Sequence, residues 1–185
     1  MSKSLFNTAD CFAIVILSFI ALFTRLWLIA DPDLVTFDEV HFGNFTNWYI
    51  RKEFFFDIHP PLGKMIMAQI ASFTQYKGDI DFGSKFGQSY LPNELFFVSL
   101  RITPAIFSAI TSPFLFAACR CLSLSTLTSF CSGLILTTDI SLIVEGKFIL
   151  SDGILHFFTA FHIFTLCLLL SDDFDFLNLH SPPRH

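Results

Sequence analysis

Two adjacent carboxylates, Asp38 and Glu39, are the residues of this sequence best suited to chemistry. They follow an apolar run long enough to cross a membrane, so we expect them at a membrane face, between water and lipid. One carboxylate there can accept a proton from a hydroxyl nucleophile. The other can orient the acceptor or shift the pKa of its neighbour through like-charge repulsion. Such a site suits an enzyme that takes one substrate from the bilayer and one from water.

The composition indicates a membrane protein. Apolar residues make up 53% of the 185 residues, and charged residues only 15%, which is low for a soluble domain. The apolar residues are clustered in runs, as in a polytopic membrane protein. The net charge of -5 and the lack of a basic cluster larger than Arg51-Lys52 argue against a nucleic-acid partner.

The cysteines and histidines predict no metal site and no cofactor. All five cysteines lie in or beside apolar runs, and none lies in the polar segment 31–94. They are therefore interpreted as small apolar residues rather than as a disulfide framework. His156 and His162 lack a carboxylate at the spacing that metal sites use, so we interpret them as core or interface histidines.

Four apolar runs are each close to the ~20 residues that cross a bilayer. These predicted spans are residues 11–30, 95–119, 127–144 and 148–170. Lys3 and Arg120 favour a cytosolic N-terminus and a cytosolic loop after the second span. This orientation makes residues 31–94 a lumenal loop and returns a polar tail, 171–185, to the cytosol. Residues 1–170 would then form one transmembrane region.

The predicted lumenal loop contains two amphipathic segments. Residues 38–53 place apolar side chains on one helical face, and a second helix is predicted to begin at His59-Pro60-Pro61, because proline fits the first turn of a helix. Amphipathicity leaves two alternatives open. The helices lie flat on the membrane face, or they pack on each other as a small cap.

Charged residues inside the spans point to a shared polar cavity. Arg25 and Arg101 lie at similar depth on the lumenal side, where snorkelling is the alternative explanation. Glu145 and Asp152 lie on the same side, which makes Asp152 a candidate substrate-binding residue. Asp139 is expected to pair within the helix bundle.

An Asp-Glu pair beside arginines fits glycosyl transfer from a lipid phosphate. A guanidinium fork can pair with the oxygens of the departing phosphate. A direct displacement inverts the anomeric carbon and needs the base and the leaving group on opposite faces of the sugar. Alone, however, an Asp-Glu pair is a weak motif, because many helices begin with an acidic residue.

Five segments closely resemble the N-terminal part of the protein O-mannosyltransferases, which are multispanning endoplasmic-reticulum enzymes with the GT-C type of fold. These segments are 24–27, 37–43, 54–65, 100–105 and 147–155. The run from Phe54 to Met65 is most similar to the second subfamily, whose members pair with a first-subfamily partner. The resemblance implies an all-α membrane protein: a partial GT-C bundle of about four transmembrane helices, with amphipathic helices in the first lumenal loop.

The resemblance also implies a reaction. Mannose moves from dolichyl phosphate mannose to a Ser or Thr hydroxyl of a protein in the lumen. Asp38 matches the family's base, and Glu39 matches a residue that positions the acceptor or the site. Arg25 and Arg101 match arginines assigned to the lipid-phosphate region, and His59-Pro60 matches a turn near the site.

The chain departs from the family at the entry to the last span and in length. Ser151 and Gly153 replace the usual residues, so this entry is expected to pack differently. Family members are several times longer, so a truncated product is expected. Two alternatives remain: a non-catalytic membrane subunit that pairs with a full-length relative, and a transporter or channel, which predicts charges along both membrane faces.

Overall fold

The computed structural model describes residues 6–83, 87, 89–90 and 94–180. Within these residues every regular element is a helix, apart from one isolated bridge between Leu34 and Ser89. The helices are α1 (Thr8–Leu26), α2 (Glu39–Arg51), α3 (Pro61–Phe73), α4 (Glu94–Cys121), α5 (Thr126–Thr138), α6 (Ile140–Lys147) and α7 (Asp152–His180). The prediction of an all-α chain is confirmed.

Three helices are long and apolar enough to cross a membrane: α1, residues Phe96–Cys121 of α4, and residues Asp152–Ser171 of α7. Helices α5 and α6 qualify together as a fourth span, bent by 56°. About four spans were predicted, and three or four are found among the described residues. Helix α7 is continuous to His180, whereas a polar tail was predicted from residue 171. Lys3 and residues 181–185 lie outside the described residues. The predicted boundary at residue 170, between the transmembrane region and the polar tail, stays a prediction.

Asp139 explains why the third span is broken. Its backbone is extended, and its side chain accepts a hydrogen bond from the backbone N–H of Leu142 at 3.0 Å. An aspartate in this position ends one helix and caps the next. Pairing within the bundle was expected for Asp139, but in the described structure it caps α6 and has no ion-pair partner within 4 Å.

The spans alternate in direction along the chain. At one end of the bundle, Arg120 of α4 lies 2.9 Å from Asp10 of α1, and Thr126 of α5 donates to the same Asp10 oxygen at 2.7 Å. Arg101, near the start of α4, instead contacts the chain that follows α1. We call these two ends the Asp10 end and the Arg101 end. Because α1 and α4 are antiparallel, segment 31–94 lies at the Arg101 end.

Helix α7 packs along α4 in the same direction. Near its start, an added Cβ on Gly153 would lie 2.5 Å from the carbonyl oxygen of Pro104. Further along, Cys167 packs with Ala118 and Cys121. Glycine at position 153 therefore allows a backbone approach that a larger side chain would prevent.

Helices α2 and α3 pack on each other and share one apolar core with α4 and the start of α7. This core contains Phe42, Phe45, Met67, Ala71, Tyr76, Phe82, Tyr90, Phe97, Leu100, Ile149 and Ile154. The two helices thus form a cap, which is one of the two predicted alternatives. Helix α3 also leaves Leu62, Met65 and Phe73 exposed, so contact of this face with the membrane stays a prediction.

The orientation of the bundle can be tested with glycosylation sites. Asp79→Asn together with Asp81→Ser creates an Asn-X-Ser site at the Arg101 end, on two exposed residues. We expect this variant to acquire a glycan in microsomes. The matched control is Ser123→Asn, which creates the site Asn-Leu-Ser in the exposed loop between α4 and α5 and should remain unmodified. Modification of the control alone would reverse the assignment of the two faces.

Candidate functional site

Asp38 immediately precedes α2, and its side chain is free. Its backbone carbonyl accepts hydrogen bonds from the N–H groups of His41 and Phe42 at 2.9 and 3.1 Å, which start the helix. The half-buried carboxylate does not cap α2. Within the described part of the chain it forms no hydrogen bond and no ion pair. Both of its oxygens are therefore available to a ligand.

Glu39, the next residue, is fully engaged. Its Oε1 accepts hydrogen bonds from Arg101 Nε at 2.8 Å and from the backbone N–H of Ile149 at 3.0 Å. Its Oε2 accepts from the N–H and hydroxyl of Thr36 at 3.0 and 2.9 Å, from Tyr90 at 3.0 Å and from Arg101 Nη2 at 2.9 Å. This buried carboxylate therefore joins α2, α4 and three connecting segments.

Arg101 completes the pair and has no donor to spare. Besides its two bonds to Glu39, Nη1 donates to the carbonyls of Ile29 and Pro32 at 3.2 and 2.8 Å, and Nη2 donates to the carbonyl of Leu34 at 3.2 Å. A guanidinium has five N–H groups, and all five are used here. Direct binding of a lipid phosphate by Arg101 stays a prediction, and it would require one of these bonds to break.

The pair controls the conformation of the turn that carries Asp38. Thr36, on one side of the turn, is bonded to Glu39 on the other. Phe37, between Thr36 and Asp38, has a φ of 50° and an exposed side chain. A bulky residue in this left-handed region is strained, and such strain persists only where neighbouring contacts impose it. The contacts of Thr36 and Glu39 supply that constraint.

Tyr90 is a hydrogen-bond donor to Glu39 in this cluster. Burial raises the pKa of its phenol, and the nearby charge of Glu39 raises it further. The phenol therefore stays protonated and continues to donate its hydrogen bond to Glu39.

Arg25 is also buried, but it serves a different part of the molecule. Its Nε donates to Ser108 at 2.8 Å. Its Nη atoms donate to the carbonyls of Leu136 and Thr137 at 3.3 and 3.2 Å, and to the hydroxyl of Thr24 at 3.1 Å. These carbonyls belong to the last turn of α5, where a cation satisfies acceptors left open by the break in the span. Arg25 and Arg101 share no hydrogen-bond partner in the described structure, and a phosphate role for Arg25 stays a prediction.

His59 and Pro60 lie in a turn held by two residues that sequence reasoning missed. His59 Nδ1 lies 2.9 Å from Asp57 Oδ1. Lys64 forms an ion pair with Asp57 Oδ2 and donates to the carbonyl of His59 at 3.0 Å. Pro60 then caps the start of α3. The sequence signal for Lys64 was weak: it shares helical spacing with Met67, but Met65 and Ile66 offer an equally apolar face, and only the structure shows that Lys64 and Met67 lie on the buried side.

Electrostatics keep Asp57 ionised. Burial alone would raise the pKa of its carboxyl group, but hydrogen bonds from Lys64 and His59 outweigh that effect, and the pKa falls to about 2. Lys64 is further placed 4.9 Å from the ring centroid of Phe45, a cation–π contact.

An open groove of about 690 Å³ adjoins this turn. Its lining combines aromatic and charged side chains: Trp48, Tyr49, Lys52, Glu53, Phe54, Phe55, Asp57, His59, Pro61 and Lys64. The ring of His59 also packs against Phe42, with centroids 5.7 Å apart. Phe42 lies in the first turn after Asp38, whereas the α2 residues that line the groove, Trp48 and Tyr49, lie near the other end of the helix.

The remaining predicted residues are less closely connected to this site. Asp152 is half-buried at the start of α7, but its carboxylate contacts none of the site residues among those described, so its substrate role stays a prediction. Glu145 lies 3.7 Å from His156. Within the described residues, no three His, Cys, Asp or Glu side chains are grouped to hold a metal ion.

The structure thus presents a multispanning helical membrane protein with a polar site at one end of its bundle, an arrangement typical of membrane-embedded transferases. The family model for dolichyl-phosphate-mannose-protein mannosyltransferase matches residues 15–172. The chain belongs to this family, and family membership leaves the transporter or channel alternative without support.

Individual relatives agree with the family model. The chain is 34% identical to dolichyl-phosphate-mannose–protein mannosyltransferase 2 of Candida albicans over 88% of its own length and 21% of the relative. It is 36% identical to mannosyltransferase 3 of Saccharomyces cerevisiae over 82% of its length and 20% of the relative. Mannosyltransferases numbered 1 and 4, also from yeasts, match this chain at similar identity. These comparisons therefore do not resolve the subfamily, and membership of the second subfamily stays a prediction.

The fold matches a solved structure, the Pmt1-Pmt2 protein O-mannosyltransferase complex of S. cerevisiae bound to its sugar donor. The TM-score is 0.82 with 32% sequence identity, over 87% of this chain and 22% of the matched chain. The predicted GT-C type of fold is confirmed. The chain spans about a fifth of the length of the curated relatives that it matches.

The buried pair should be intolerant of a conservative change. Arg101→Lys keeps a charge but cannot reach all of the present acceptors, so Glu39 and several loop carbonyls lose partners. We expect a loss of about 3 kcal/mol or more in the free energy of unfolding, measured by denaturation of the detergent-solubilised chain. Arg51→Lys is the control, because the pair between Arg51 and Glu53 is exposed and should contribute less than about 1 kcal/mol. Equal stability of the two variants would contradict a structural role for Arg101.

Proposed function

We propose that this chain takes part in protein O-mannosylation: the transfer of mannose from dolichyl phosphate mannose to Ser or Thr hydroxyls of proteins in the lumen of the endoplasmic reticulum. The family match and the likeness to the donor-bound complex support the reaction class. The membrane spans support a multi-pass location in the bilayer that supplies the lipid-linked donor. One contrast carries the assignment of the site: of two adjacent carboxylates, Asp38 is free and Glu39 is fully bonded.

In this proposal Asp38 is the general base. Its carboxylate accepts the proton of the acceptor hydroxyl as the hydroxyl oxygen attacks C1 of mannose. The bond between C1 and the phosphate oxygen breaks, and dolichyl phosphate leaves with the electron pair. Attack from the face opposite the phosphate inverts the configuration at C1. The half-buried position of Asp38 suits a group that must be reached by both substrates.

In this proposal Glu39 holds the shape of the site and does not contact the acceptor. Its side chain is 0% exposed and its charge is balanced by Arg101. It therefore cannot contact a bound polypeptide, and the repulsion that it exerts on Asp38 is largely compensated. Its proposed role is to fix the turn at Thr36–Asp38, which places the free carboxylate.

Because all five donors of Arg101 are engaged in the described structure, we propose a second positive partner for the departing phosphate. Lys147 lies at the Arg101 end, where its ammonium group donates to the carbonyl of Trp27 at 2.7 Å. An ammonium group has three N–H donors, so two remain for a phosphate oxygen. Arg25 uses four of its five donors on described residues, which leaves it the weaker candidate.

A second candidate function follows from the length of the chain. The matched solved structure is a complex of two different mannosyltransferase chains, and this chain covers 22% of one of them. A chain of this size could serve as a membrane subunit that pairs with a full-length relative and contributes no base. In both candidates a heteromeric partner of the same family is proposed.

The base assignment predicts a specific loss. Asp38→Asn should lower the rate of mannose transfer by about 10²- to 10⁴-fold and leave thermal stability unchanged, because the carboxylate has no described partner to lose. Transfer to a Ser/Thr peptide is measured for the chain alone and for the chain assembled with a full-length relative. Asp33→Asn, in the exposed loop before the site, is the control. If the assembled chain raises the relative's activity and Asp38→Asn does not change this, the chain is a non-catalytic subunit.

The phosphate assignment predicts separate effects on the two substrates. Lys147→Met should raise the KM for dolichyl phosphate mannose by about 10-fold, because an anion loses a charge-assisted donor. The KM for the peptide should change little. Apparent KM values for donor and acceptor are measured in the assembled enzyme. A change confined to the acceptor KM would remove Lys147 from the phosphate site.

A further inference from the structure

A buried ion pair supports the exposed histidine of the turn before α3. Lys64 and Asp57 have side-chain exposures of 2% and 8%, while the His59 side chain is 52% exposed. Removing two charges from water is costly, and an apolar pair of similar size would often stabilise the fold equally well. Unlike an apolar pair, this ion pair gives His59 a fixed hydrogen-bond partner.

The geometry determines which nitrogen of His59 carries the proton. An ionised carboxylate can only accept, so the Asp57 oxygen 2.9 Å from Nδ1 requires a proton on Nδ1. In the neutral ring, Nε2 then bears a lone pair and accepts hydrogen bonds. Lys64 holds the other oxygen of Asp57 and the carbonyl of His59, which prevents the carboxylate from rotating away. A side chain oriented in this way is prepared to bind a donor.

The lining of the groove indicates the kind of donor. The lining carries two basic residues, Lys52 and Lys64, and two acidic ones, Glu53 and Asp57, so it has no net positive charge to hold an anion such as a lipid phosphate. Trp48, Phe54 and Phe55 offer aromatic surface of the type that binds side chains of an extended chain. The groove volume of about 690 Å³ lies in the range of ligand-binding clefts. A polypeptide supplies both the apolar side chains and the N–H donors that these features accommodate.

We propose that Asp57 and Lys64 are positioning residues that hold His59 in the Nδ1–H tautomer, and that His59 Nε2 accepts a hydrogen bond from a backbone N–H of the acceptor polypeptide bound in this groove. The inference rests on the proposed function, because it identifies the polypeptide as the substrate to be mannosylated. The His59 ring packs on Phe42, one turn after Asp38. In this arrangement His59 binds residues that flank the mannosylated Ser or Thr, and the bound polypeptide lies beside the helix that begins after the proposed base.

Kinetics of paired variants test the role of Nε2. His59→Gln places an amide near the position of Nε2, whereas His59→Asn keeps a partner for Asp57 but does not reach the groove. We expect His59→Asn to raise the acceptor KM about 3- to 10-fold, His59→Gln to restore part of this loss, and neither to change the donor KM. Gln69→Ala, on the exposed face of α3, is the control. A rise in the donor KM alone would mean that the ring binds the sugar, and equal acceptor KM values in all variants would overturn the proposal.

The polypeptide N–H can be tested directly. A set of Ser/Thr peptides, each N-methylated at one amide, should contain one member that binds the wild-type chain about 3- to 10-fold more weakly than the parent peptide. The same member should show no such loss with His59→Asn. Additive effects at every position would show that His59 contacts no peptide amide.

A spectroscopic experiment separates this inference from the proposed function, because it needs no catalysis. In the ¹⁵N-histidine-labelled chain in nanodiscs, the resonances of His59 are assigned by their loss in His59→Gln. We expect a protonated Nδ1 and an unprotonated Nε2 whose signal shifts when the Ser/Thr peptide is added. Asp57→Asn combined with Lys64→Met removes both buried charges together and should abolish the single-tautomer pattern. An Nε2–H tautomer in the wild type, or no response of Nε2 to peptide, overturns the proposal even if the enzyme is active. Absence of transfer with a normal Nε2 response would instead reject only the proposed function.

Discussion

The buried ion pair between Glu39 and Arg101 is the interaction on which the rest of the site depends. Two charges removed from water are costly unless their remaining hydrogen-bonding capacity is satisfied. Here the carboxylate receives six hydrogen bonds, and all five donors of the guanidinium are used. Three of those donors bond to carbonyls of the irregular loop between α1 and α2, which has few other backbone partners. The pair therefore organises the segment between α1 and α2 as well as the contact with α4.

This arrangement divides two chemically similar neighbours into different roles. Because Glu39 points inward at the start of α2, the preceding side chain must leave the helix in another direction, and Asp38 remains half-buried and unbonded. The strain at Phe37 is the cost of joining the two orientations within one turn. The turn before α3 shows the same contrast between a buried and an exposed polar residue. Asp57 is buried against Lys64, while His59, two residues further on, is exposed. In both places an internal charge pair positions an outward-facing group.

Hydropathy was sufficient to predict about four spans, because a span depends on a long average of apolar character, and the family resemblance implied the all-α class. Hydropathy does not describe local polar contacts. The break at Asp139 arises from one side chain capping the next helix, which a window of ~20 residues averages away. The saturation of Arg101 could not be predicted because three of its acceptors are backbone carbonyls of a loop. Asp57 and Lys64 were missed because charged residues outside the apolar spans are ordinarily solvated.

The contacts that place Asp38 come entirely from within this chain. Every described partner of Glu39 and Arg101 lies between Ile29 and Ile149, inside the fifth of the relatives' length that the chain spans. The helices behind this site are tied to one another by other polar contacts, Arg25 at the broken span and Asp10 with Arg120 at the opposite end. The turn that carries the proposed base is therefore held by residues between Ile29 and Ile149. The groove beside His59, in contrast, is open to solvent in this structure, so these residues do not by themselves exclude water from a ligand bound there.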